Sequence, residues 1–254
     1  MTGMHVGRFG DPSGRPVVAL HGITAHGGRW RRIAEEYLPG HRTLAPDLRG
    51  HGRSSHNPPW TVERHAGDVL ALLDDSGIEE ADVVGHSFGG LIAVHVTRMA
   101  PERVRRLVLL DPSIGLPSGD TLGKAHAALS QPSWADPDEA RDVREKGWPE
   151  AYPGAVDDEM DHLVQGEDGR WRWRYEPAAV VTAFSEMART FVTPTVPTHL
   201  VVATRAGIVR PVFVNACRRD LGDDFAVTEI DAGHLLYLDR LDETGAILRD
   251  WLGD

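Results

Sequence analysis

A short apolar run, Ala81-Asp82-Val83-Val84, leads into Gly85-His86-Ser87-Phe88-Gly89-Gly90, and Leu91-Ile92-Ala93-Val94 follows at once. This order reads as strand, sharp turn and helix. Glycines two positions either side of Ser87 let the backbone fold back where larger side chains would clash, which pushes the serine to the tip of the turn. A serine held there, exposed and strained, is suited to attack a substrate. The feature requires a chain in which buried strands run directly into helices.

The flanking sequence has that character. Pro16-Val17-Val18-Ala19-Leu20 is a continuous apolar run of the kind found in strands covered on both faces, and it stops at His21-Gly22. A helix from about 28 to 38 follows, then a strand over Arg42-Thr43-Leu44-Ala45-Pro46 and the loop Asp47-Leu48-Arg49-Gly50-His51-Gly52-Arg53-Ser54. Thr61 is placed to cap a helix from Val62 to Ser76, with Gly77 just past its end. After the elbow helix, Pro101 is a stop, and Val104 to Leu110 is another buried-type strand ending in Asp111-Pro112. Alternation with short links predicts an α/β fold with a mostly parallel central sheet flanked by helices. The alternation lapses from about 113 to 197 and resumes at Thr198 to Thr204, with a helix over Pro211 to Leu221, a strand over Phe225 to Ile230 and an amphipathic segment from Asp239 to Leu252. Residues 1–112 and 198–254 therefore read as the core and 113–197 as an inserted helical cap, with helix-like stretches over Glu139 to Lys146 and Pro177 to Arg189.

A formal net charge of −11, with no long run of Lys or Arg, argues against a nucleic-acid partner or an anionic membrane surface. A single cysteine, Cys217, cannot form an internal disulfide and fits a reducing compartment. The first eight residues contain no apolar signal core, and no apolar run reaches the roughly 20 residues of a membrane span, so a cytoplasmic location is expected. The chain has 13 histidines but no H-E-x-x-H motif or close Cys/His set, so no metal is expected.

One of those histidines stands out. His234, in Asp231-Ala232-Gly233-His234, follows the last strand and belongs at the carboxyl edge of the sheet, where Ser87 also emerges. A serine hydroxyl is a weak nucleophile at neutral pH, and a histidine within hydrogen-bond reach can take its proton and return it to the leaving group. The oxyanion formed on attack needs preorganised donors, for which the backbone N–H groups of Phe88 and Ile23 are placed. Thr24 and His26 are candidates for the pocket lining. The cap adds Trp134, Trp148 and Tyr152 as pocket candidates, among several aromatics and methionines that include Phe184 and Met187.

His21-Gly22, the Asp47-x-Arg-Gly-His-Gly-x-Ser54 loop, the Ser87 elbow and Gly233-His234, in this order at strand ends, resemble the α/β-hydrolase superfamily across nearly the whole chain. The pattern looks most like the capped esterase, lactonase and proline-iminopeptidase-like group, and the resemblance implies an enzyme that needs no cofactor. In most such relatives the acid partner of the histidine follows the strand after the cap, yet Thr204-Arg205-Ala206-Gly207-Ile208-Val209-Arg210-Pro211 has no carboxylate. Some relatives take the acid from the end of the strand after the elbow helix, which here is Asp111. A dyad without an acid, or a carboxylate such as Asp231 or Asp239, remains open on sequence. His21 and His86 read as supporting residues, and Asp47, Arg49 and His51 as braces of their loop.

The expected reaction is hydrolysis of a small to medium, largely apolar carboxylic ester, lactone or thioester through an acyl-Ser87 intermediate. Aminopeptidase action is less favoured, since Asp136, Asp138, Glu139 and Glu159 in the cap read equally as solvated surface; carbon–carbon hydrolysis would use the same Ser-His pair. A slow-turnover ligand-binding or receptor-like protein is the reading from another class, motivated by the missing carboxylate.

Overall fold

The structure, a computed structural model, describes residues 3–253. In chain order, the first half holds β1 (Val6–Gly10), β2 (Arg15–Leu20), α1 (Arg31–Tyr37), β3 (His41–Pro46), α2 (Val62–Asp75), β4 (Ala81–His86), α3 (Phe88–Met99) and β5 (Val104–Leu110). The intervening segment holds α4 (Ser118–Ala128), α5 (Pro137–Gly147), α6 (Ala155–Met160), the short strands β6 (Leu163–Gln165) and β7 (Trp171–Trp173), and α7 (Pro177–Met187). The chain closes with β8 (Thr198–Ala203), α8 (Pro211–Leu221), β9 (Phe225–Ile230), α9 (Leu236–Asp239) and α10 (Leu241–Leu252).

Seven strands form one sheet in the order β1-β3-β2-β4-β5-β8-β9, parallel throughout except for β1, which runs antiparallel to β3. Successive strand residues face opposite sides, so Val17 and Ala19 join Trp30, Tyr237 and Leu248 in one core, while Val18 and Leu20 join Val69, Phe88 and Ile92 in the other. Every position of β4 is buried, which fits its run Val83-Val84 without alternation, and its Asp82 is paired with Arg105. The helix α2 has its seed in sequence: Thr61 Oγ1 accepts from Arg64 N at 3.3 Å, and Val62, Ala66, Val69 and Leu73 fall on one buried stripe.

Several local expectations change. The stretch read as one helix over 28 to 38 is a tight 3-10 turn, Gly27–Trp30, followed by α1. The final amphipathic segment is α10, which starts at Leu241, and Arg240, with φ of −136° and ψ of 59°, separates it from the short α9 that the sequence did not mark. The cap segment is not purely helical, because β6 and β7 pair antiparallel within it. The edge strand β1 was not anticipated; its polar Arg8 and two glycines hide the strand signal.

The core also holds neutral imidazoles. Burial pushes His51 down to about 4, and burial aided by the charges of His51, Arg49 and Arg64 pushes His65 down to about 3. An unfolded histidine titrates near 6.5, so below that pH the unfolded chain binds protons that the folded chain refuses. The contribution of these residues is complete above about 6.5 and is lost as pH falls towards the folded values, at a cost of about 2 kcal/mol per residue by pH 5. The urea midpoint is expected to fall clearly between pH 7 and pH 5, and an unchanged midpoint would mean that these rings are solvated.

Candidate active site

Ser87 sits between β4 and α3 with φ of 54° and ψ of −119°, a conformation few side-chain-bearing residues adopt. The neighbouring glycines make it possible. A Cβ on Gly85 would come within 2.5 Å of Gly89 O, and one on Gly89 within 2.4 Å of Leu20 O. Phe88 is the first residue of α3, where the backbone N–H has no intrahelical acceptor. Across from it, Ala25 N donates to Gly22 O at 3.4 Å and Thr24 has φ of 57°, so Ile23 occupies a tight turn after β2. Ile23 and Thr24 line the same cavity as Ser87.

The structure brings His234 to the serine, with Nε2 2.9 Å from Ser87 Oγ. Its Nδ1 lies 2.6 Å from Asp111 Oδ2. Asp111 is fully buried at the end of β5, and its Oδ1 accepts from Ala203 N at 3.2 Å. A carboxylate only accepts, so Nδ1 carries the proton and Nε2 is left to accept from the Ser87 hydroxyl. The alternatives fall away. Asp231 has its side chain 84% exposed and pairs with Arg205 at 3.1 Å, while Asp239 lies against Gly233 and lines a separate cleft. A dyad lacking an acid is likewise not what the geometry presents.

Supporting groups hold the histidine loop. Burial keeps His86 well below its ordinary pKa, and its Nε2–H donates to His234 O at 2.8 Å. Behind the Gly22 turn, His21 Nδ1–H donates to Gly22 O at 2.7 Å while Nε2 accepts from Leu48 N at 2.9 Å. Asp47 accepts from Gly27 N and Arg53 N, both at 2.8 Å, and Arg49 pairs with buried Asp68 at 2.8 and 3.0 Å. Ser113 was missed in the sequence: its Oγ is 3.1 Å from Ser87 Oγ and its N donates to Ser87 O at 3.1 Å. Since the Ser87 proton is directed at His234, Ser113 is the donor of that pair. No local motif marks it; it is a serine two residues after Asp111.

The cavity over Ser87 has a volume of about 290 Å³ and includes Trp148, Phe184 and Met187 from the cap segment. Trp134 and Tyr152 do not line it. Trp134 exchanges backbone hydrogen bonds with Trp171 and packs edge-on against Trp173, so it fills a small core of the cap itself. Tyr152 lies under Arg32, donates to Asp158 Oδ2 at 3.2 Å and borders a different surface cleft. His26 is buried behind the cavity wall, stacked on His162 at 3.2 Å, with Nε2 2.9 Å from Glu159 Oε2.

Glu159 corrects a further expectation, because this cap residue is only 2% exposed rather than solvated. Arg29 forks onto it with Nε and Nη2 at 2.8 and 2.6 Å, and Arg144 Nη2 approaches at 3.1 Å. Burial opposes its charge, but Arg29 and His26 outweigh burial and hold the carboxyl well below its ordinary pKa. Arg29 and Arg144 both reach the cavity wall.

Residues 15–161 match the family described as the alpha/beta hydrolase fold. Lipase LipV of Mycobacterium tuberculosis is 39% identical to this chain over 98% of both sequences. The chain belongs to the α/β-hydrolase fold family. This α/β-hydrolase-fold protein is also 29% identical to N-formylmaleamate deformylase of Pseudomonas putida, over 98% of this chain and 92% of that one. Among solved structures, E-2-(acetamidomethylene)succinate hydrolase superposes with a TM-score of 0.85 at 21% identity, covering 98% of this chain and 94% of that one. A marine microorganism esterase gives 0.78 at 23% identity, covering 97% and 98%. At those identities the superpositions speak to the α/β-hydrolase fold alone. Among its described residues, no helix is long and apolar enough to cross a membrane, and no three His, Cys, Asp or Glu side chains cluster as a metal site.

Proposed function

We propose that the protein is a serine ester hydrolase that cleaves small to medium carboxylic esters or lactones through an acyl-Ser87 intermediate. The observation that carries this reading is the unbroken hydrogen-bonded relay Asp111–His234–Ser87, with distances of 2.6 and 2.9 Å. His234 Nε2 removes the Ser87 proton as Oγ attacks the ester carbonyl carbon. The oxyanion then faces the backbone N–H groups of Ile23 and Phe88, a kind of contact worth about 3 kcal/mol per donor in the transition state. Collapse breaks the bond to the alcohol oxygen, which leaves with the proton from His234. Water, deprotonated by the same nitrogen, attacks the acyl carbon and releases the acid, and Ser87 regains its proton. Asp111 stays ionised and stabilises the imidazolium.

Segment 113–197 serves in this reading as the lid, contributing Trp148, Phe184 and Met187 to the cavity. A volume of about 290 Å³ lies at the low end of the roughly 300–1,000 Å³ usual for ligand pockets and favours short acyl and alcohol groups. The lack of a carboxylate in Thr204–Pro211 is a weaker motive for the binder reading, since Asp111, just after β5, lies 2.6 Å from His234 Nδ1. We assign the protein to a reducing, cytoplasmic setting on the strength of its lone Cys217, whose buried thiol is pushed up to about 12. Turnover of 4-nitrophenyl acetate and butyrate, compared with laurate and palmitate, is the test. The short esters are expected to be cleaved at least about tenfold more efficiently, with Ser87→Ala at background; equal rates for Ser87→Ala and the native chain would refute the assignment.

A further inference from the structure

The wall of the Ser87 cavity is positively charged, on a chain whose formal net charge is −11. Arg29, Lys124 and Arg144 line it, and no Asp or Glu does. Arg29 is already matched, because both arms of its fork end on Glu159. One carboxylate cannot neutralise a second guanidinium as well. Arg144 meets the same Oε1 only as an ion pair at 3.1 Å, and its Nε is buried without a hydrogen-bond partner. The indoles of Trp148 and Trp173, at 4.7 and 4.3 Å from its guanidinium carbon, fix its position. His26 shares Glu159 but adds no charge at neutral pH, since burial lowers its pKa. Lys124, on α4, makes no ion pair among the described residues.

After Glu159 has offset Arg29, two positive charges remain on the cavity wall, with the apolar side chains of Leu116, Phe184 and Met187 beside them. A tie between cap and core explains Arg29 and Glu159. It explains neither Lys124 nor the unpartnered Nε of Arg144. We propose that the substrate is an ester bearing a carboxylate, held by Arg144 and Lys124 while Ser87 attacks the ester carbonyl, with a short carbon chain between the two groups on the apolar wall. A guanidinium fixed by stacking, on the wall of a cavity that a lysine also lines, suits a carboxylate drawn into a partly desolvated site. This inference deepens the hydrolase reading and rests on it for the chemistry, though not for the binding.

Two measurements test it. In a pH-stat, kcat/KM is compared for monomethyl glutarate against methyl pentanoate, and for 3-acetoxypropanoate against butyl acetate, which places the carboxylate on the acyl or the alcohol side. At least one anionic ester is expected to be preferred about tenfold or more, with the preference collapsing in Lys124→Met and in Arg144→Gln. Preference for both neutral esters, equal rates, or a preference that survives both variants overturns the proposal. The second measurement is calorimetric titration of Ser87→Ala with glutarate, which needs no nucleophile. Saturable binding is expected, weakened about tenfold when Lys124→Met is added at its exposed position, far less disruptive to folding than a change at Arg144. No binding, or the same affinity in both backgrounds, contradicts the anion site. If no ester turns over and a fluorophosphonate fails to label Ser87, the hydrolase reading falls, while the glutarate titration still decides this one.

Discussion

Asp111→Asn is expected to lower kcat by about 10⁴-fold with little change in far-UV circular dichroism. The magnitude follows from tautomer control. The carboxylate at 2.6 Å accepts from Nδ1–H of His234 and thereby leaves Nε2 as the acceptor for the Ser87 proton. An asparagine that keeps Ala203 N bonded to its oxygen turns its NH₂ towards Nδ1, which then must accept. The ring proton moves to Nε2 and points at Ser87 Oγ, so the base is lost with the geometry nearly intact. Near-normal turnover of a 4-nitrophenyl ester by this variant would remove Asp111 from the mechanism and return Asp231 and Asp239 to consideration.

Glu159→Gln is expected to cost about 3–5 kcal/mol of folding stability, read as a lower urea midpoint. The carboxylate is the counter-ion of buried Arg29 and of Arg144, and it accepts a hydrogen bond from His26. Glutamine keeps the shape but leaves a guanidinium buried without a neutralising charge, which is the costly half of breaking such a pair. Because Arg29 and His26 overcome burial to depress the Glu159 pKa, its stabilisation is present above the ordinary carboxylate range and is lost as pH falls through the lower folded value. The difference between variant and native midpoints is therefore expected to shrink in strong acid. A loss of only a few tenths of a kcal/mol at neutral pH would show that Glu159 is solvated and that the cap is held by packing alone.

Much of the α/β-hydrolase core can be read from the chain because it is written locally. Runs such as Pro16 to Leu20 and Val104 to Leu110 carry the buried-strand signal within a few residues, and the Gly85–Gly89 spacing is itself the requirement of the turn. Ser87 and His234 are legible for the same reason, each lying in a short motif at a strand end. Asp111 is half legible: its place is marked, but only the fold sets its Oδ2 against Nδ1 across 123 residues. The cap resists such reading. Its aromatics satisfy either a core or a pocket with equal chemistry: Trp134 joins the small cap core, Tyr152 packs at the edge of the main core beside a separate cleft, and Trp148 lines the Ser87 cavity. Glu159 looks like any acidic residue in Val156-Asp157-Asp158-Glu159, because its partner Arg29 lies 130 residues away. Charge pairing over that distance leaves no periodicity, so the cationic wall of the cavity emerges only when cap and core are seen together.

Stoichiometric acylation of Ser87 tests the central claim most directly. Rapid mixing with 4-nitrophenyl acetate is expected to give a nitrophenol burst equal to the enzyme concentration, with the acetyl group found on Ser87 by peptide mass spectrometry and no burst in Ser87→Ala. An acetyl group on another residue, or release of nitrophenol without a burst and unchanged in Ser87→Ala, would contradict the account.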